Sequence, residues 1–285
     1  MALAGLLVGC APETVKRDPC DNGIFVDADG NAYTDASSAF ESAVLLDGVV
    51  TVCPGEHDID GKFGPTVAWE QQWPQLVLRG AGRDATKVSA ADSSLSIGVS
   101  HPNDHLDEER SLIVESLTIG PPARARSECS HSAYDWDAGD DDECEPWHEY
   151  VELRRGASAS PYETVVFQDV AFTGGTGMLA SAMELYGIPN GGYDTITLKN
   201  CSVLDNESSE PEYGGAVLFD FEAYGSLATL TSINTDWGQG ETDNSPADVA
   251  FEVWEEGATE PDTSRSYSWD GVADFVCRAD TRTCE

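Results

Sequence analysis

The sequence predicts an all-β chain in which short strands stack as successive turns of a solenoid, with one short helix closing the N-terminal end. Three observations carry this. Two interleaved series of β-favouring segments recur with a common period of about 32 residues, glycine, asparagine and aspartate punctuate the intervals, and helical periodicity is confined to one stretch near the N-terminus.

The chain opens on Met1 to Cys10, an uncharged apolar run that stops at the cysteine, and nothing after it is apolar for long enough to span a bilayer. As a secretory segment it is short and lacks a positively charged start, which leaves open a longer leader upstream of Met1. Leu7-Val8-Gly9-Cys10 resembles the bacterial lipobox, in which small residues precede an obligatory cysteine. The resemblance implies loss of residues 1–9, a lipid on Cys10, and a chain anchored to a membrane rather than crossing it. Ala11 in place of aspartate points, by the same resemblance, to an outer-membrane or cell-surface location. An ordinary signal peptide cleaved nearby is the alternative, and it leaves the cysteine unexplained. Residues 10–24 then form a tether.

Eight cysteines fit an exported protein, and setting Cys10 aside leaves an odd seven. Spacing pairs Cys277 with Cys284 and Cys129 with Cys144 across short loops, and Cys20 with Cys53 between the tether and the first strand. Cys201 lies in an alternating apolar stretch and is expected as a small buried hydrophobe.

The helical stretch runs from Asp35 to Val44. Asp35 offers an N-cap oxygen, and Ala36, Ala39, Phe40 and Ala43 share one face. An alternating strand follows from Val49 and ends in the Pro54-Gly55 corner. The first series then comprises Leu112–Ile119, Val165–Phe172, Ile196–Val203 and Ala228–Thr235. Its equivalent positions are read as Leu117, Val170, Cys201 and Ile233, at intervals of 53, 31 and 32. The long interval holds a polar insertion from Arg124 to His148, 25 residues, whose removal leaves 28. Leu76–Gly82 fits one step earlier, with Ala81 36 residues before Leu117. The second series is Tyr150–Leu153, Ala182–Leu185, Ala216–Phe219 and Val249–Val253, with Leu153, Leu185 and Phe219 at intervals of 32 and 34. Strands that pair with their equivalents one turn away need residues of similar size at each buried level. Corners fall at Gly174-Gly175, Gly191-Gly192, Asp205-Asn206 and Gly238, residues that tolerate positive φ. A β-sandwich also alternates strands and turns, but has no reason to repeat near 32 residues.

The helix followed by a strand ending in Pro-Gly, with Leu198-Lys-Asn-Cys-Ser-Val203 and Tyr213-Gly-Gly-Ala-Val217, resembles the right-handed parallel β-helix proteins of the pectin-lyase-like superfamily. The resemblance covers about residues 25–255. It implies a right-handed parallel β-helix over 25–258 with an acidic insertion at 124–148, a short N-terminal capping helix, and a C-terminal cap over 259–285. Caps have a physical purpose, because exposed strand edges invite pairing with other chains. The resemblance is specific for architecture only, since the fold hosts lyases, hydrolases, adhesins and proteins without chemistry.

Fifty-two acidic and 15 basic residues give a net charge of -37. That field repels phosphate backbones, which excludes nucleic acid as a partner, and it disfavours polyanionic substrates. A hydrophobic content of 40% still suffices for a core, so wholesale disorder is excluded. Pectate lyases of this fold, by resemblance, use basic residues. Arg79, Arg83, Arg154 and Arg155 are the candidates here, and adjacent Arg154 and Arg155 would face opposite sides of a strand. Polygalacturonase-type hydrolases are matched only at Asn234-Thr235-Asp236; their Asp-Asp, Gly-His-Gly and Arg-x-Lys motifs have no counterpart after it. Asp236 is therefore the one catalytic candidate, and a polar corner is the plainer reading of the tripeptide.

Three readings of the insertion stay open. Asp135, Asp137, Asp140, Asp141, Asp142 and Glu143 offer hard oxygen ligands for calcium, without the spacing of an EF-hand. Cys129, His131, Cys144 and His148 contain the atoms of a zinc site, and Cys129 with Cys144 reads more simply as a staple on a solvated acidic loop. Asp27-Ala-Asp29-Gly30-Asn31 reads as a type I turn in preference to a calcium loop. The tryptophans, Trp69, Trp73, Trp136, Trp147, Trp237, Trp254 and Trp269, either cover the flanks or form a platform for a sugar ring. Together these readings lead to a surface-anchored lipoprotein that binds or presents a glycan or another surface component without catalysis. A carbohydrate-active hydrolase or lyase is the second reading, and an acidic spacer without a ligand is the third.

Overall fold

The computed structural model describes residues 18–44, 48–59, 75–89, 95–96, 110–120, 151–154, 162–177, 180–187, 193–208, 215–221, 228–253 and 265–285. Within them the chain is all-β apart from one α-helix and short 3-10 turns. Six strands form successive rungs of one sheet, each parallel to the last: Val49–Val52, Gln75–Arg79, Arg110–Ile119, Tyr162–Thr173, Tyr193–Lys199 and Thr229–Asp236. A second parallel sheet runs through Leu95–Ser96, Val151–Arg154, Ala180–Gly187, Gly215–Phe221 and Val249–Val253. From Val151 to Val253 the chain visits the two sheets in turn. Each parallel strand there pairs with one a full repeat away, as parallel pairing requires a long crossover.

Alternation decides what is buried. Gln75–Arg79 reads exposed, buried, half-buried, buried, exposed, and the later rungs keep this phase. Leu76, Leu112, Val165, Ile196 and Leu230 meet in register as one inward line, with Leu78, Val114, Phe167, Leu198 and Ser232 as the next. Each fully buried large aliphatic side chain contributes about 1.5–3 kcal/mol relative to exposure. In the second sheet Leu153, Leu185, Phe219 and Phe251 are in register, and the last two rings stack with centroids 4.7 Å apart.

A left-handed residue ends the alternation at the same place on four rungs. Ser116, Asp169, Asn200 and Asn234 have φ of 58, 55, 52 and 49°. They are consecutive across the rungs, and Asn234 Nδ2 donates to Asn200 Oδ1 at 2.8 Å. Asparagine and aspartate accept this conformation more readily than other non-glycine residues. Gly80 takes the corresponding place one rung earlier, where a Cβ would collide with the Ser116 carbonyl oxygen.

This kink corrects one expected equivalence. Thr235, not Ile233, stands beside Cys201, because Lys199 pairs with Ile233 and Ser202 with Asp236. Ile233 points outward and is 41% exposed, whereas Thr235 is fully buried. The last rung is offset by 34 residues, as between Asn200 and Asn234, and an apolar pattern does not reveal which residue turns left-handed.

Antiparallel strands finish the ends. Phe25–Asp27 pairs antiparallel with both Ala32–Tyr33 and Val49–Val52, and the helix Ala36–Val44 packs on these strands. Asp35 Oδ1 accepts from Ser38 N at 2.8 Å, and Ala36, Ala39, Phe40 and Ala43 are buried. At the opposite end Val272–Arg278 lies antiparallel on Thr229–Asp236 and turns into Thr283–Cys284, while Arg265–Tyr267 lies antiparallel on Val249–Val253. Trp269 stacks on Phe275 at 3.7 Å over the fully buried Trp237. Disulfides join Cys20 to Cys53 and Cys277 to Cys284, and Cys201 is free and buried.

Candidate functional site: an uncharged sheet face

The outward side chains of the six rungs fall into straight files, because no register shift interrupts their parallel pairing. One file is Gln75, Ser111, Thr164, Thr195 and Thr229, which ends beside the exposed Arg278 of the antiparallel strand. The next is Val49, Val77, Ile113, Val166, Thr197 and Thr231, continued by Val276 on the antiparallel strand. All are half-buried except the exposed Gln75, whose Nε2 donates to Ser111 Oγ at 3.3 Å. Rungs lie about 4.7–4.9 Å apart, and alternate residues along a strand about 6.6–6.8 Å. Ten of these twelve positions are β-branched, and such side chains hold few χ1 states, so the face is stiff. Among the described residues neither file contains a carboxylate, in a chain with 52 acidic residues. A third file borders the face with mixed charge: Arg79, Glu115, Gln168, Lys199 and Ile233, with Arg79 Nε donating to Glu115 Oε1.

The described carboxylates with interior partners are engaged in structure. Asp27 accepts from Asn31 N, Asn31 Nδ2, Tyr33 Oη and Ser42 Oγ at 2.7–2.9 Å. Burial alone would raise its pKa, but these hydrogen bonds outweigh that and hold the carboxyl well below its usual range. The turn beside it is closed by Gly30, at φ 83°, whose N–H donates to the Asp27 carbonyl at 3.0 Å. Asp169 Oδ1 lies 2.7 Å from Arg83 Nε, and Arg83 Nη1 reaches Ser202 Oγ at 3.2 Å. Asp248 ends a buried polar line: Asn206 Nδ2 donates to Asn244 Oδ1 at 2.9 Å, and Asn244 Nδ2 donates to Asp248 Oδ1 at 2.7 Å. Its second oxygen accepts from Trp269 N at 2.7 Å. Burial pushes Asp248 up to about 6, the two donors offset part of this, and Asp243 and Asp270 add to it.

Asp236 is half-buried, and its Oδ1 accepts from Gly238 N at 3.2 Å across a tight turn. Its partners in register are Ser202 and Val272, neither a second carboxylate. Asn234 and Thr235 are likewise occupied, the first by Asn200 and the second by the Leu198 carbonyl. Of the basic candidates, Arg79 and Arg83 are paired with Glu115 and Asp169. Trp237 is buried at the C-terminal end and Trp269, half-buried, packs beside it.

Cys10, the Cys129 and Cys144 pair, His131, His148, and the calcium candidates Asp135, Asp137, Asp140, Asp141, Asp142 and Glu143 lie outside the described residues, as do Arg155, Gly191, Gly192 and the other five tryptophans. Among the described residues, no cluster of three or more histidine, cysteine, aspartate or glutamate side chains is placed to hold a metal ion. The two outward files were missed by sequence reasoning, which followed the inward positions. The available signal was the spacing Thr195-x-Thr197 and Thr229-x-Thr231 within the repeat already found. Set against known protein families, curated proteins and solved structures, the chain matches none of them.

Proposed function

We propose that the chain is a right-handed parallel β-helix lipoprotein, anchored through Cys10 at an outer membrane or cell surface, that works by recognition rather than catalysis. The paired parallel sheets visited in turn, with rung intervals near the 32-residue repeat, support the β-helix. Handedness and the pectin-lyase-like relationship rest on the sequence resemblance, and the lipid anchor on Leu7-Val8-Gly9-Cys10.

The observation that carries recognition is the carboxylate-free pair of files on a chain of charge -37. An uncharged surface component, such as a neutral glycan, approaches that face without facing a local negative charge. The Asp236 geometry weighs against the hydrolase reading, since its carboxylate caps a turn and its register partners are not carboxylates. The test is a screen of insoluble and soluble neutral polysaccharides, with and without a calcium chelator, in which reducing ends are assayed in the same wells. Retention without new reducing ends, weakened by Thr197→Glu, is the expected result. Release of reducing ends that Asp236→Asn abolishes would overturn it in favour of a carbohydrate-active enzyme.

A further inference from the structure

We infer that the two-file face is an ice-binding surface, its ligand the ordered water of a crystal plane. This rests on the reading of that face as the recognition surface and names what it recognises.

Three observations on the face narrow the ligand. Apart from the amide of Gln75, its groups are hydroxyls and methyls: Thr195, Thr197, Thr229 and Thr231 present both, and Val77 and Val166 keep the methyl outline of threonine in register with them. Hydroxyls donate to and accept from water oxygens, while methyls fill the hollows between them. The spacing repeats at about 4.7–4.9 Å from rung to rung, with the second file about 6.6–6.8 Å from the first along each strand. Two stiff parallel files with one repeat are matched best by a rigid ligand that repeats along the same direction, and a single flexible chain does not repay them. The face carries no aromatic ring at any of its twelve described positions, so it lacks the platform on which a sugar ring stacks.

Size and charge exclude the remaining classes. Six rung steps from Val49 to Val276 span about 29 Å, and two files with their side chains about 10 Å, or roughly 300 Å². A stable protein interface needs about 800 Å² per partner, so neither a second copy nor another protein is held by this strip alone. Ice is uncharged and extends past the edges of the strip, so the area sets affinity rather than fit. The -37 charge of the chain keeps its acidic surfaces bound to liquid water, which directs adsorption to a face whose described residues carry no carboxylate.

The experiment uses the full 285-residue chain. Ice recrystallisation inhibition and thermal hysteresis are measured for the unaltered protein, Thr197→Glu, Thr231→Glu, Thr197→Val and, away from the face, Glu56→Gln. Thermal melting of every variant shows that it is folded. The unaltered chain and Glu56→Gln are expected to arrest recrystallisation equally, and Thr197→Val, which keeps the methyl outline but loses the hydroxyl, to arrest it less strongly. Each glutamate variant should need about tenfold more protein, because a charge would lose its water without a partner. An unaltered chain no more active than an unrelated protein of equal net charge overturns the assignment, as do folded glutamate variants of undiminished activity. If the chain shows no activity on ice but retains a neutral polysaccharide that the glutamate variants lose, ice is refuted and the recognition face stands. If the same variants change neither binding, both are refuted.

Discussion

Cys201 and Thr235 hold equivalent places on adjacent rungs: Cys201 Sγ donates to the Phe167 carbonyl at 3.2 Å, and Thr235 Oγ1 donates to the Leu198 carbonyl at 3.1 Å. The two acceptors are themselves paired in register. Both donors follow a left-handed asparagine that turns the chain inward, so each meets a carbonyl of the preceding rung.

Cys201→Thr should therefore be nearly neutral, within about 1 kcal/mol in urea unfolding, whereas Cys201→Leu should cost about 1–3 kcal/mol by overpacking. Burial pushes the Cys201 thiol up to about 11. Its labelling by a thiol reagent at pH 8 should accordingly follow the rate of opening, and a fast stoichiometric reaction in the native state would contradict this.

Asp248 should make the fold less stable as pH rises. Its folded pKa of about 6 lies above the ordinary 3.8, so its contribution is fully present below pH 3.8 and lost as pH rises through 6. The difference of some two units corresponds to about 3 kcal/mol at most. Asp248→Asn should flatten the fall in the urea midpoint between pH 4 and pH 7, and an unchanged slope would refute the assignment.

Asp27 acts in the opposite direction. Its depressed pKa means that its contribution is present above the ordinary value of 3.8 and lost as pH falls below it. Asp27→Ala leaves Asn31, Tyr33 and Ser42 without their acceptor and should cost on the order of 2–4 kcal/mol. The loss should be smaller at pH 2.5 than at pH 6 in the same unfolding assay.

The two described disulfides should differ in their effect. Cys20–Cys53 spans 33 residues and Cys277–Cys284 spans 7. Loop-closure entropy assigns about 3.8 kcal/mol to the first and about 2.5 kcal/mol to the second. Paired serine replacements compared by calorimetry should show the larger loss of melting temperature at the Cys20 pair.

The sequence by itself determined what is local. Asp35 caps a helix whose four apolar residues share a face, because a cap and a 3.6-residue period need only a few neighbouring positions. The all-β character was equally legible, as was the registration of Leu153, Leu185 and Phe219, because each turn must bury a side chain of similar size beside the last. Only the tertiary structure decided which residue of each rung turns left-handed, and with it that Thr235 rather than Ile233 faces the core. It also decided that Arg83 meets Asp169, that Asp248 lies buried beneath Trp269, and that the threonines and valines of six distant segments form one face. These relationships join residues tens of positions apart, and their energies exist only once the rungs are stacked in register.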